Sequence, residues 1–339
     1  MADETTKRRP APARDAIAGT AVVLALGCGI NPAFDELDAS GPADGDTTAS
    51  GKIATHDLRA VWSTPNQIRW QWDVDGDEAD FLAYELVIAQ SEADVTERGA
   101  TATVFTGERN PELGVFILPR TFQAAVVEAT TTDLLDPDTT YYAQLVARDT
   151  AGGESLSNVA LGRTNPPPSY EIVLLAEGDS PGYSVPSTYV VDDTAPYAGA
   201  EHFSYVHSCE MPTCTENLQR QGLMIDLAEI RRGDFETTAY LEFATALENS
   251  IPSWWGGAYL FYGSVDDVTT YQGWQIAADG EYRLLQAPLN VFVYPGGAGE
   301  EDDVLVAYEA LAAGVTGFMI GGHWSDGATV RIDEVRLRW

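Results

Sequence analysis

The chain reads as all-β: two β-sandwich domains behind an N-terminal signal and a flexible linker. Three observations predict this. Short runs such as QIRWQW and YELVIA alternate apolar with polar residues at period two, the pattern of a strand with one buried face. Gly, Pro and Asp separate such runs along the whole chain. RTNPPPS (163–169) divides the runs into two sets, and its three consecutive prolines stiffen the link between them.

The 339 residues suffice for two domains, and an apolar content of 45% provides cores for both. The formal charge is −33, from 52 acidic against 19 basic residues, and only Lys7 and Lys52 are lysines. So acidic a surface repels phosphate backbones and anionic headgroups, so nucleic acid is not an expected partner. It attracts cations. Both salt adaptation and a genome favouring Arg over Lys produce such a composition.

Residues 1–28 carry an export pattern. Lys7, Arg8, Arg9 and Arg14 form a basic start, and AIAGTAVVLALG (16–27) is an uncharged run too short to span a bilayer. It ends in ALGC at Cys28. This resembles the lipobox of bacterial lipoproteins, with Ala25 and Leu26 in swapped order, and the resemblance implies lipidation at Cys28. Localisation is then outside the cytoplasm, at the outer membrane or cell surface, with membrane contact only through the anchor. Residues 29–51 are rich in Gly, Asp, Ala, Ser and Thr and read as a disordered acidic tether.

Residues 52–165 form the first domain. Ile68, Trp70 and Trp72 share one phase of a strand and are read as core; Gln67, Arg69 and Gln71 hold the opposite, outward phase. YELVIA and TATVF follow as strands. Leu135, Pro137, Thr139 and Tyr141 stand as Leu-x-Pro-x-Thr-x-Tyr, where Pro137 fixes a turn and Tyr141 buries its ring while its hydroxyl returns to the loop backbone. Together with GGESLSN, these residues resemble a fibronectin type III domain. That resemblance implies a spacer or adhesion module rather than a catalyst. The stretch from Gly107 to Asp133 departs from the family pattern and predicts longer middle strands or an inserted loop.

Residues 169–339 hold nine further strand candidates, among them YEIVLLA, STYVV, HFSYVH, AYLEFA, AYLFYG, GWQIA and ATVRIDEVRLRW. DDVLVAYEALAAG is expected as a short helix, with Val304, Leu305, Tyr308 and Leu311 at helical spacing and Gly314 as its stop. This many strands without long helices predict a two-sheet jelly roll. The closing segment, with Ile332-Asp333-Glu334-Val335-Arg336-Leu337, resembles the last hairpin of jelly-roll carbohydrate-binding modules and galactose-binding-like domains. The resemblance implies an extracellular polysaccharide or glycan as ligand. Flat aromatic faces stack on sugar C–H groups, and Trp254, Trp255, Tyr271, Trp274 and Trp324 are the candidates. Trp254-Trp255 leads because a double Trp in a Gly/Pro/Ser loop is hard to bury whole. Trp274 and Trp324 also fit the core. No cofactor is required, but such domains hold structural Ca2+, and Asp333 with Glu177 or Asp179 would supply part of an oxygen shell; the alternative is that Asp333 merely bonds a loop.

EHFSYVHSCEMPTC (201–214) concentrates His202, His207, Cys209 and Cys214. The spacing matches neither zinc fingers nor Cys-x-x-Cys redox pairs. In an exported chain whose Cys28 carries lipid, Cys209 and Cys214 are expected as a disulfide, with zinc as the alternative. Nothing matches a serine elbow, a His-Glu-x-x-His motif or a phosphate loop. The expectation is a non-catalytic surface protein binding a glycan. A structural or adhesive module of the envelope, with protein partners and no sugar site, is the second reading. A jelly-roll glycosidase or lyase is the third.

Overall fold

The computed structural model describes residues 52–120, 123–126, 128–131, 133–175, 183–185, 189–192, 196–200, 202–206, 222–226, 239–250, 258–264, 267–288, 293–294, 304–305, 317–322 and 327–339. Ten strands build the first sandwich: β1 (Ala54–Ser63), β2 (Ile68–Asp75), β3 (Phe81–Ala89), β4 (Thr103–Thr106), β5 (Leu118–Arg120), β6 (Gln123–Val126), β7 (Glu128–Thr130), β8 (Thr140–Asp149), β9 (Glu154–Leu156) and β10 (Ala160–Arg163). One sheet runs β1-β2-β7, and the facing sheet β10-β8-β3-β4, with β9 also on β8. Ile68, Trp70, Trp72, Tyr84, Leu86, Ile88, Ala143 and Leu145 fill the space between them, the phases that alternation assigned inward. The Tyr141 hydroxyl accepts the backbone N–H of Asp136 at 2.8 Å, so the corner holds its turn as the Leu-x-Pro-x-Thr-x-Tyr spacing implies. The stretch that departs from the fibronectin pattern holds a 3-10 turn (Pro111–Gly114) and the β5–β6 hairpin.

The second sandwich contains β11 (Glu171–Leu175), β12 (Tyr183–Val185), β13 (Tyr189–Asp192), β14 (His202–Val206), β15 (Gly222–Asp226), β16 (Tyr240–Glu248), β17 (Ala258–Ser264), β18 (Asp267–Trp274), β19 (Arg283–Pro288), β20 (Val293–Tyr294), β21 (Val304–Leu305), β22 (Gly317–Gly322) and β23 (Thr329–Arg338). One sheet runs β13-β14-β23-β16-β19, with β11 on β23, and the other β12-β15-β22-β17-β18-β20-β21. Take β14 to β19, β22 and β23 as first to eighth. Their orders are then first-eighth-third-sixth and second-seventh-fourth-fifth, the double Greek key of a jelly roll. Phe203, Tyr205, Leu241, Phe243, Trp274, Leu285, Ile332, Val335 and Leu337 share its core. Trp274 is thus a core residue.

One expectation is corrected here. Val304 and Leu305 form not the start of a helix but a strand, paired antiparallel with Tyr294 and Val293. Two residues gain more from a ladder at a sheet edge than from an unsupported first helical turn. The rest of that segment lies outside the described residues.

The last strand contains a second departure from simple alternation. Glu334 has φ 52°, and the register against β16 shifts between Glu242 and Ala244. This bulge places one extra residue in β23. Ile332, Val335 and Leu337 can therefore all enter the core. Arg336 and Arg338 then take the opposite phase, on the outer face.

Candidate functional site

The polar phase at the start of β2 is not solvated, although Asp73 further along it is exposed. Gln67 and Arg69 are buried alongside Trp70 because the jelly roll covers them. The primary amide of Gln67 donates to the carbonyl of Leu284 at 2.6 Å and accepts the N–H of Gln286 at 3.0 Å. It pairs with β19 as a neighbouring strand would. Since β19 is the last strand on its side of the sheet, a side chain of the other sandwich satisfies an otherwise open edge.

Arg69 anchors the second half of the joint. Its guanidinium donates to Glu128 Oε1 at 2.6 Å, to Thr130 Oγ1 at 2.9 Å and to the carbonyl of Gly273 at 3.1 Å. Glu112 stands 3.8 Å away. The Glu112 carboxylate accepts the N–H of Thr130 at 2.9 Å and, across the joint, that of Gln275 at 3.2 Å. Burial lowers the pKa of the Arg69 guanidinium, and the Glu112 charge opposes the shift. The link is fastened at both ends: Asn165 donates to Thr64 O at 3.0 Å, and Ser169 and Tyr170 donate to Trp339 O at 2.8 and 3.0 Å. Only Pro166–Pro168, which carry no N–H, lie between.

Beside this joint, the outer face of the β13-to-β19 sheet carries a polar and aromatic patch. Glu242 Oε2 accepts from Gln286 Nε2 at 2.6 Å, and Glu242 Oε1 pairs with Arg338 Nη1 at 3.0 Å. Arg338 Nη2 meets Glu171 at 2.9 Å, and Arg336 pairs with Glu334 and, at 3.7 Å, with Glu171. The Tyr197 ring lies at 5.6 Å from Tyr282, which meets His202 edge-on at 6.3 Å. Tyr197 is 43% exposed, so a ligand can reach it. Partial burial raises the pKa of its phenol, and the nearby charges of Glu242 and Glu334 add to the shift. Asp333 positions this loop. Its Oδ2 accepts the N–H groups of Tyr197 and Ala198 at 3.0 and 3.2 Å, and its Oδ1 that of Glu334 at 2.8 Å. Burial nonetheless raises the Asp333 pKa, against those three bonds.

The bond that Asp333 makes to a loop is the alternative weighed against a calcium role. Glu177 and Asp179 lie outside the described residues, as do Cys28, His207, Cys209, Cys214, Trp254, Trp255 and Trp324. Tyr271 sits in β18 opposite Phe261; its side chain is likewise outside them. Sequence reasoning missed Tyr197, Glu242, Tyr282, Gln286 and the role of Arg336 and Arg338. The repeated arginines of VRLRW on a polar strand phase were the available signal. Among the described residues, one group has metal-ligand spacing: His56, Asp57 and Asp73, with ligand atoms within 4.8 Å of one another. It is exposed, and Arg59 already pairs with Asp73 at 3.5 Å. Among the described residues, no helix is long and apolar enough to cross a membrane.

No family model matches the chain, and no curated protein does. Among solved structures, the sixth fibronectin type III domain of human fibronectin type III domain containing protein 3 is 18% identical, with a TM-score of 0.26, covering 37% of this chain and 97% of that one. A surface glycan-binding protein from Prevotella bryantii is 12% identical, with a TM-score of 0.32, covering 87% and 77%. A chitinase from Bacillus thuringiensis is 12% identical, with a TM-score of 0.23, covering 85% of this chain and 29% of its own. These likenesses are too loose to carry a functional argument.

Proposed function

We propose that this is a non-catalytic, exported binding protein, lipid-anchored through Cys28, whose jelly roll takes an extracellular glycan. The observation that carries the reading is the patch on the outer sheet face. An exposed tyrosine ring stands beside a second ring and a row of arginines and carboxylates on rigid strands. Stacking faces ringed by fixed donors and acceptors are what sugar recognition uses. Each carboxylate of the row is tied to a guanidinium: Glu242 to Arg338, Glu334 to Arg336, and Glu171 to both. Carboxylate oxygens committed to guanidinium groups are not placed to reach a glycosidic oxygen, which favours binding over glycosidic acid catalysis. The row carries no surplus positive charge and the chain is strongly acidic, so the ligand class is neutral oligosaccharide.

The test is a printed array of neutral hexasaccharides (cello-, manno-, xylo-, malto- and chitin-derived) probed with residues 29–339. Binding that Tyr197→Ala abolishes supports the patch. Binding lost instead in Trp254→Ala/Trp255→Ala moves the site to that tryptophan pair. No binder on the array sinks the glycan reading, and the adhesive protein–protein reading then leads.

A further inference from the structure

We infer that the fibronectin-like sandwich is a working part of the ligand site: through Thr64 and Asn66 it holds the row of side chains that ends at Arg338. This rests on the glycan reading of the outer patch and replaces the idea of a passive spacer.

The chain of contacts is continuous. The Gln286 amide oxygen accepts the hydroxyl of Thr64, and the N–H of Asn66 at 3.3 Å. The Gln286 amide nitrogen donates to Asn66 Oδ1 at 3.3 Å and to Glu242 Oε2 at 2.6 Å. The other Glu242 oxygen holds Arg338 at 3.0 Å. The orientation of the amide is dictated by its neighbours. An ionised carboxylate only accepts, so the nitrogen must face Glu242, and the oxygen must face the two donors from the first sandwich. Glu242 and Gln286 are both buried, so water does not substitute for a lost partner at low cost. Freed from Thr64 and Asn66, Gln286 can turn. Glu242 Oε2 then loses its donor, and Arg338 keeps Glu171 but loses the fixed position of its second carboxylate partner. The jelly roll alone would retain the aromatic rings of the patch but not the pre-set geometry of its polar row, and pre-set geometry is what binding otherwise has to supply. Thr64 and Asn66 are thus positioning residues, remote from any ligand.

The experiment uses the chain from residue 29 to 339, the hexasaccharide that scores highest on the array, and isothermal titration. Thr64→Val removes at constant shape the hydroxyl that donates to Gln286 and also accepts the N–H of Gln67 at 3.1 Å, and Thr64→Ser keeps both bonds. The expected result is about tenfold weaker binding for Thr64→Val, the scale of one hydrogen bond in a buried charged network. Thr64→Ser should bind as the parent does. Asn66→Ala serves as a second, independent variant, and thermal melting confirms that each protein is folded. Equal affinity of Thr64→Val and the parent overturns the inference while leaving the glycan site standing. Loss of affinity in Thr64→Ser to the same degree as in Thr64→Val also overturns it, because the hydroxyl is then not the agent. A parent that binds no array glycan, or binds unchanged with Tyr197→Ala, defeats the underlying reading and the inference with it.

Discussion

Replacing Arg69 with Ala should uncouple the two sandwiches. The guanidinium spans the joint: three of its bonds reach Glu128, Thr130 and Gly273, and Glu112 lies within 3.8 Å. Glu112 and Glu128 are both nearly inaccessible to solvent, at 4% and 5% relative exposure. Without Arg69 the two buried carboxylates lose the guanidinium that stands between them. Breaking a buried pair in this way costs about 3–5 kcal/mol, more than the pair itself contributes, because the remaining charge stays desolvated. For a protein of this size each kcal/mol moves the midpoint by about 2–4 °C, so the melting temperature should fall by about 10 °C. Differential scanning calorimetry reads it. The parent should melt in one transition, since a buried joint makes the sandwiches cooperative. Arg69→Ala should split the endotherm. The double variant Arg69→Met/Glu128→Gln removes the closest ion pair at similar volume, leaves Glu112 to accept its two N–H groups, and should recover part of the loss. An Arg69→Ala protein that melts within about 2 °C of the parent, in one transition, would refute the claim that this residue holds the joint.

Three further outcomes follow from the same contacts. Tyr141→Phe removes the hydroxyl that accepts from Asp136 and should cost about 1 kcal/mol in urea denaturation, with the fold kept. The amides of Lys52 and Gly153 hold the Asp149 carboxylate below its ordinary pKa, so its stabilisation is full above that ordinary value and disappears as pH falls through the lower folded one. Asp149→Asn should accordingly flatten the acid limb of stability against pH, measured between about pH 5 and pH 2. Because the Asp333 oxygens are already committed to three backbone N–H groups, EDTA should change the melting temperatures of the parent and of Asp333→Asn equally; a drop that Ca2+ reverses in the parent alone would place a cation at Asp333.

Much of the architecture was legible because it is local. Trp70, Trp72, Leu86 and Ile88 announce their buried phase by alternation, and Tyr141 announces its corner by spacing. The joint was not legible, because alternation gives the phase of a residue but not what covers it. Gln67 and Arg69 look solvated from their neighbours, yet their partners across the joint lie more than 200 residues away. The stretch from Gly107 to Asp133 stood out as a departure, but nothing in it marked Glu112 as the carboxylate that crosses to Gln275. The Asp333–Glu334 bulge hid the patch in another way. Read as simple alternation, Ile332-x-Glu334-x-Arg336 would share one face, and only the extra residue sends Arg336 and Arg338 outward beside Glu242.

The most direct test is isothermal titration of the neutral hexasaccharide that scores highest on the array into residues 29–339 and into Tyr197→Ala. The account predicts saturable binding by the parent and loss of at least about tenfold in the variant, the scale of one lost aromatic contact. Equal affinity of the two proteins, or no heat from the parent with any array glycan, would contradict it.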